Sequence, residues 1–187
     1  MGTRRELGGR FEPGGNRLII RSGANLETEM DVGGFFDYPG EQTGATDGTL
    51  VFLPEFSEEA WAILLSFTQR RSFRAGELLL QKGEAGRALY VTGRGRLEVV
   101  IKQGRRAVRV ATLGAGEIFG EMAFFDGQAR SATVSALDDG EMHVLTFEAF
   151  EVMAAHHPDL ARAVLFDLGR ILSLRLRRAT GMLAERL

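Results

Sequence analysis

Between residues 72 and 147, apolar residues fall in short runs mixed with polar ones, and glycines punctuate the runs. Such runs read as β-strands, because successive strand side chains point to opposite faces. The segments 77–81, 88–92, 96–102, 106–113, 131–137 and 141–146 fit. Gly76, Gly83, Gly86, Gly93, Gly95, Gly114 and Gly116 mark the turns, and Gln103-Gly104-Arg105 reads as a tight hairpin. Many short strands at regular spacing predict a sandwich or barrel. The flanks follow a helical period instead. Ser57 precedes Glu58 and Glu59 as an N-cap, and Trp61, Leu64, Leu65 and Thr68 recur at helical spacing as far as Arg70-Arg71. Phe147 to His156 reads as a second helix, with Phe150, Val152 and Met153 apolar, and His156-His157-Pro158 breaks it. A longer helix starts at Pro158 or Asp159 and carries Leu160, Val164, Leu168, Ile171, Leu172, Leu176, Leu183 and Leu187 on a broad apolar face. Arg170, Arg175, Arg177, Arg178 and Arg186 make its second half basic, and Gly181 is a point where it can fray.

Residues 1–50 lack either period. Paired glycines (Gly8-Gly9, Gly14-Gly15, Gly33-Gly34) with Pro13 and Pro39 disfavour helix, and few apolar residues are available for a core. This segment reads as a flexible, Gly-rich N-terminal arm with one or two short strands, of which Arg17–Arg21 is the only clear one. Leu18-Ile19-Ile20 and Phe35-Phe36-Asp37-Tyr38 are its candidate docking spots. Leu50-Val51-Phe52-Leu53, stopped by Pro54, opens the folded domain, placed at 51–187.

Composition narrows the class. The chain has 187 residues, enough for one well-cored domain plus an extension. A net charge of −2 gives no global pull toward nucleic acid or anionic membrane, and the absence of cysteine excludes a disulfide framework and thiolate chemistry. Neither a membrane-length apolar run nor a signal-peptide core is visible, so a soluble, cytoplasmic protein is expected. The histidines, His143 in a strand and His156-His157 in an interhelical turn, are badly placed to converge, so no metal site is expected. Ser131 has no neighbouring base, and Gly93-Arg94-Gly95-Arg96 lacks the Gly-Lys-Ser/Thr ending of a phosphate loop. No enzyme activity and no cofactor are expected.

The stretch from Phe119 to Ala136 carries the distinctive chemistry. It begins and ends like a strand, with Gly120-Glu121 leading a short turn, Asp126-Gly127 closing it and Arg130 following. Free amides at the start of a helical turn attract an anion, and a guanidinium adds donors shaped for phosphate oxygens. A carboxylate nearby suits a pair of hydroxyls. A ligand with one phosphate beside one sugar hydroxyl fits that set.

These residues resemble the phosphate-binding cassette of the cyclic nucleotide-binding domain family: Gly120, Glu121, Met122, Ala123, Arg130, Ser131 and Ala132. The resemblance runs from about Phe73 to Arg178. It implies a mainly β fold with flanking helices, an eight-stranded jelly-roll β-barrel with one N-terminal and two C-terminal helices. It implies that Glu121 contacts the ribose 2′-hydroxyl, Arg130 the cyclic phosphate, and Ser131 the phosphate through its hydroxyl. It places purine contacts at Val110 and Leu113 and near Arg175 on the last helix. Bacterial cyclic-AMP receptors carry a Thr-Ser pair where Arg175-Leu176 stands here, which leaves cyclic AMP and cyclic GMP both open. Arg175 either stacks on the purine or points into solvent. Ser at 131, where Thr accompanies cyclic GMP preference in the family, favours cyclic AMP.

The expected function is a cyclic nucleotide sensor for signal transduction, transmitting binding through its C-terminal helices to a homodimer formed by helix 159–187 or to an unidentified protein partner. No direct nucleic-acid contact is expected, since the chain stops within the long helix where the cyclic-AMP receptors continue into a helix-turn-helix. Membrane insertion is not expected either. The alternatives are a ligand-independent interaction module, or a regulatory subunit whose DNA-binding partner is a separate chain.

Overall fold

The structure is a computed structural model that describes residues 9–11, 17–22, 26–31, 50–103 and 106–184. Gly14-Gly15, Gly33-Gly34, Phe35–Tyr38, Gly104, Arg105, Arg186 and Leu187 lie outside the described residues. In the N-terminal segment β1 (Gly9–Phe11), β2 (Arg17–Ser22) and β3 (Leu26–Asp31) pair antiparallel in the order β1-β2-β3. That is one strand more than the one or two expected. The third, Leu-Glu-Thr-Glu-Met-Asp, carries three carboxylates in six residues, a composition that argues against a strand until its partner is known.

Eight further strands form two antiparallel sheets of four. They are β4 (Gln69–Phe73), β5 (Leu78–Leu80), β6 (Ala88–Arg94), β7 (Leu97–Gln103), β8 (Arg106–Leu113), β9 (Ile118–Phe119), β10 (Thr133–Ala136) and β11 (Gly140–Thr146). One sheet has the order β5-β10-β7-β8 and the other β4-β11-β6-β9, the two halves of a jelly roll. Strand alternation fixes what each sheet buries. On β6, Tyr90 faces the space between the sheets, with Phe73, Leu97, Leu113, Phe119, Val134 and Met142. Leu89 and Val91 face the other way, into a second core shared with the helices.

Those helices are α1 (Glu58–Ser66), α2 (Glu121–Asp126), α3 (Phe147–His156) and α4 (Pro158–Ala184). Ser57 caps α1 by accepting from the Ala60 amide, as the sequence predicts, and Trp61 is buried in the helical core. The helix stops earlier than expected. Hydroxyls of Ser66 and Thr68 bond back to the Ile63 and Leu65 carbonyls at its end. Arg70 and Arg71 therefore lie in β4, where they pair with Glu141 and Glu77. Four of the five β4 residues are exposed, so the strand is held by its ladder with β11 rather than by a hydrophobic pattern. Gly93 also departs from expectation. It sits inside β6, not in a turn, where a Cβ would press within 3.4 Å of Glu141 on β11. Gly83 and Gly95 do occupy turns, with φ near +90°.

Leu50–Leu53 works as a strap. Leu50, Phe52 and Leu53 are buried in the helical core. The Leu50 amide donates to the buried Glu117 carboxylate (3.2 Å) and the Phe52 amide to the Gly116 carbonyl (2.9 Å). From α4, Asp167 accepts the Leu53 amide (2.7 Å) and Arg170 donates to the Val51 carbonyl (2.8 Å). Leu53 is held at φ 51°, a left-handed conformation that branched L-residues avoid. The strap thus ties α4 to the turn before β9, directly ahead of the candidate site.

Candidate functional site

The site is assembled around α2, the short helix between β9 and β10. Gly120 is its N-cap, at φ 79°. A Cβ there would lie 2.9 Å from the Ala88 carbonyl, the Arg130 guanidinium and the Tyr90 ring, so conformation and space both require glycine. The Phe124 amide is the first to reach a carbonyl of the turn, that of Gly120 (3.1 Å). The amides of Glu121, Met122 and Ala123 therefore precede the helical ladder and are available to an acceptor. Gly127, at φ 68°, ends the helix by donating to Ala123, and the Asp126 carboxylate accepts the Gln128 amide.

Arg130 is buried at 5 % exposure. Its backbone is pinned to the loop before β6: the Arg130 amide donates to Glu84 and its carbonyl accepts from Gly83, each at 2.9 Å. One guanidinium nitrogen donates to the Ala88 carbonyl (3.0 Å) and the Gly120 carbonyl (3.1 Å), and the other reaches the Tyr90 hydroxyl at 3.4 Å. The Tyr90 ring lies 5.3 Å from the guanidinium carbon and stacks on Phe119. Arg130 makes no ion pair with a carboxylate among the described residues. A buried cation met only by neutral groups carries a substantial desolvation cost, which a bound anion would offset.

Glu121 is buried beside it but does not pair with it. Its carboxylate meets Arg175 of α4 at 2.7 Å, and Arg175 also donates to the Ile118 carbonyl at 2.7 Å. Arg175 therefore does not point free into solvent, one of the two alternatives set for it: its guanidinium is held between the Glu121 carboxylate and the Ile118 carbonyl. One side chain of α4 thus grips the first residue of β9 and the first residue of α2.

The other sequence-predicted residues are placed as follows. Ala123 is buried, Met122 and Ser131 are exposed, and Ala132 is half-buried. Leu113 belongs to the core between the sheets, in the cluster that includes Phe119 and Tyr90. Val110 is exposed at the point of β8 where the register with β7 shifts, so it falls out of the strand's alternation. The structure thus brings together Gly120, Glu121, Arg130 and Arg175, while Val110 and Leu113 lie on β8, at the edge of the other sheet. Sequence reasoning missed Tyr90 and the Ala88 carbonyl as partners of Arg130. Tyr90 reads as an ordinary strand aromatic, and a backbone carbonyl leaves no signal in a sequence.

The histidines do not converge. His143 is buried in β11, 3.2 Å from the Thr68 hydroxyl, and burial pushes its pKa down to about 4. His157 packs edge-on to Phe67, and His156 meets the Val152 carbonyl. Among the described residues there is no cluster suited to a metal ion, and no helix is long and apolar enough to cross a membrane.

Residues 70–157 match the sequence profile of the family described as "Cyclic nucleotide-binding domain". The chain is 33 % identical over 118 residues to a cyclic AMP receptor protein of Thermus thermophilus, covering 63 % of this chain and 53 % of that one. It is 30 % identical over 135 residues to a cyclic nucleotide-gated potassium channel of Rhizobium etli, covering 70 % of this chain and 37 % of the channel. A solved cyclic nucleotide-binding domain from Methylobacillus flagellatus superposes with a TM-score of 0.67 at 28 % identity, covering 73 % of this chain and 77 % of that one. The chain therefore spans about half of the receptor and well under half of the channel. A jelly roll that holds Gly120, Glu121 and Arg130 in this turn, and matches that profile from β4 through α3, makes residues 70–157 a cyclic nucleotide-binding domain.

Proposed function

We propose that this chain is a sensor for a cyclic purine mononucleotide, cyclic AMP ahead of cyclic GMP, and that it transmits binding through α3 and α4. The observation that carries the proposal is the buried Arg130, whose described partners are neutral oxygens only. A cyclic phosphate would supply the missing negative charge, with the amides of Met122 and Ala123 donating to the same group. Glu121, ahead of them on the same turn, would accept from the ribose 2′-hydroxyl. That carboxylate is held by Arg175, so ribose binding bears directly on a tie between the cassette and α4. The nucleotide shifts α4 only by its differential affinity for the two arrangements of this tie. The reading assigns no catalysis to the chain.

The outward side of α4 supports a second copy of this chain as the receiver of the signal. Phe166 and Leu176 are 71 % and 65 % exposed, with Leu165 partly exposed beside them. Apolar side chains at helical spacing on one long helix suit a self-complementary, two-fold contact.

Thermal unfolding tests the binding step. Cyclic AMP at a hundred times its dissociation constant should stabilise the chain by about 2.7 kcal/mol, a clear rise in Tm. Arg130→Ala should show no such rise. An equal rise in the variant would contradict the reading.

A further inference from the structure

Arg87 has no place in the nucleotide contacts, yet it joins the elements that must communicate if nucleotide binding is to be felt outside the cassette. It lies just ahead of β6, one residue before Ala88, whose carbonyl receives Arg130. Its guanidinium donates to the Phe124 carbonyl (3.0 Å) and the Phe125 carbonyl (3.2 Å) near the C-terminal end of α2. These are among the last carbonyls of a helix, which its own turns leave open, and a cation is favoured there. The carbon of the same guanidinium lies over the Phe147 ring, 3.3 Å from its centroid, at the first residue of α3. The backbone completes the junction, for the Phe147 amide donates to the Arg87 carbonyl at 3.0 Å. Phe124 in turn packs edge-on against Phe147 and Phe150 of α3.

We infer that Arg87 is a positioning residue that couples the cassette helix α2 to α3, and through α3 to α4. The inference rests on the sensor reading above and deepens it. Movement of α2 toward a phosphate carries the Phe124 and Phe125 carbonyls with it. Because one planar guanidinium holds those carbonyls and the Phe147 ring, α2 cannot shift without either moving α3 or breaking this junction. Lysine could still donate to a carbonyl, but it lacks the planar fork that serves two carbonyls while covering a ring. Arg87 touches no group assigned to the nucleotide, so binding and transmission are separable at this position.

Amide hydrogen exchange over residues 147–156, with and without cyclic AMP, reads the transmission, and calorimetry on the same samples reads the affinity. In the unaltered chain, cyclic AMP should change exchange in α3. Arg87→Ala should bind cyclic AMP within about fivefold of the unaltered chain while losing most of that change; fivefold lies at the lower edge of ordinary coupling strengths. Arg87→Lys should recover part of it. Phe147→Leu, which keeps an apolar packing partner but removes the ring, should resemble Arg87→Ala and serves if that variant does not fold. A purely structural role would lower the melting temperature while leaving the ligand-induced change intact. That outcome, with full transmission in Arg87→Ala or in Phe147→Leu, would overturn the inference while leaving the sensor reading standing. Failure of the unaltered chain to bind either cyclic AMP or cyclic GMP would overturn the sensor reading, and the coupling role with it.

Discussion

The ion pair between Glu121 and Arg175 admits a quantitative test by a double-mutant cycle. Glu121→Gln keeps the shape of the side chain and removes its charge. Arg175→Met keeps much of the stem and removes the guanidinium. At the observed 2.7 Å, with an effective dielectric constant of about 20, two unit charges attract by roughly 6 kcal/mol. Much of that is offset by desolvation of the carboxylate, which is only 10 % exposed, and by water around the arginine, which is 27 % exposed. A net coupling of about 1–2 kcal/mol is expected, between the values of surface pairs and those of fully buried ones. Arg175→Met should cost more than the coupling, because it also removes the bond to the Ile118 carbonyl and leaves Glu121 without its cation. Urea unfolding of the four proteins gives each free energy, and the difference of differences gives the coupling. A coupling within about 0.5 kcal/mol of zero, the range of independent sites, would refute the idea that α4 is fastened to the cassette by this pair. A healthy coupling together with an unchanged nucleotide affinity in Glu121→Gln would refute only the ribose assignment.

Three other perturbations follow from the same geometry. His143 is held neutral by burial, with a folded pKa of about 4 below its ordinary 6.5, so the unfolded chain binds the proton first as pH falls; stability should drop by about 2 kcal/mol between pH 7 and pH 5 through this group, and urea midpoints should lose that slope in His143→Gln. Gly120→Ala forces a side chain into a left-handed position 2.9 Å from the Ala88 carbonyl and should cost about 2 kcal/mol in urea unfolding while weakening nucleotide binding. Leu176→Glu places a charge on the exposed apolar side of α4 and should shift sedimentation toward a monomer, whereas unchanged sedimentation of a dimer would exclude this face as its seam.

The sheets were largely legible because short apolar runs of strand length are punctuated by glycines, although only some strands, such as β10, alternate in burial while β6 is buried on both faces. β6, β7 and β8 fall within two residues of the segments their patterns mark. β4 was not legible, since Gln69-Arg70-Arg71-Ser72 is exposed and the strand exists through its ladder with β11. The same limit hid β3, whose alternate residues are acidic. At the site, Gly120-Glu121 and Arg130 could be read because their chemistry is written in side chains at fixed spacing. The environment of Arg130 could not, because its partners are two carbonyls and a tyrosine some 40 positions away. Arg175 shows the harder case. Helical periodicity places it on α4, but whether a guanidinium meets a purine, solvent or Glu121 depends on how α4 docks. That docking is set in part by the strap, whose hold on Asp167 and Arg170 spans more than 100 residues of sequence.

Calorimetric titration of cyclic AMP and of cyclic GMP into the unaltered chain and into Arg130→Ala tests most directly whether the buried guanidinium is a nucleotide site. Micromolar or tighter binding corresponds to at least about 8 kcal/mol, which a charge-neutralising phosphate contact and a ribose contact together can supply. The expected result is such binding for the unaltered chain, tighter for cyclic AMP, with its loss in Arg130→Ala. Absence of heat with both nucleotides, or equal binding by the variant, would contradict it.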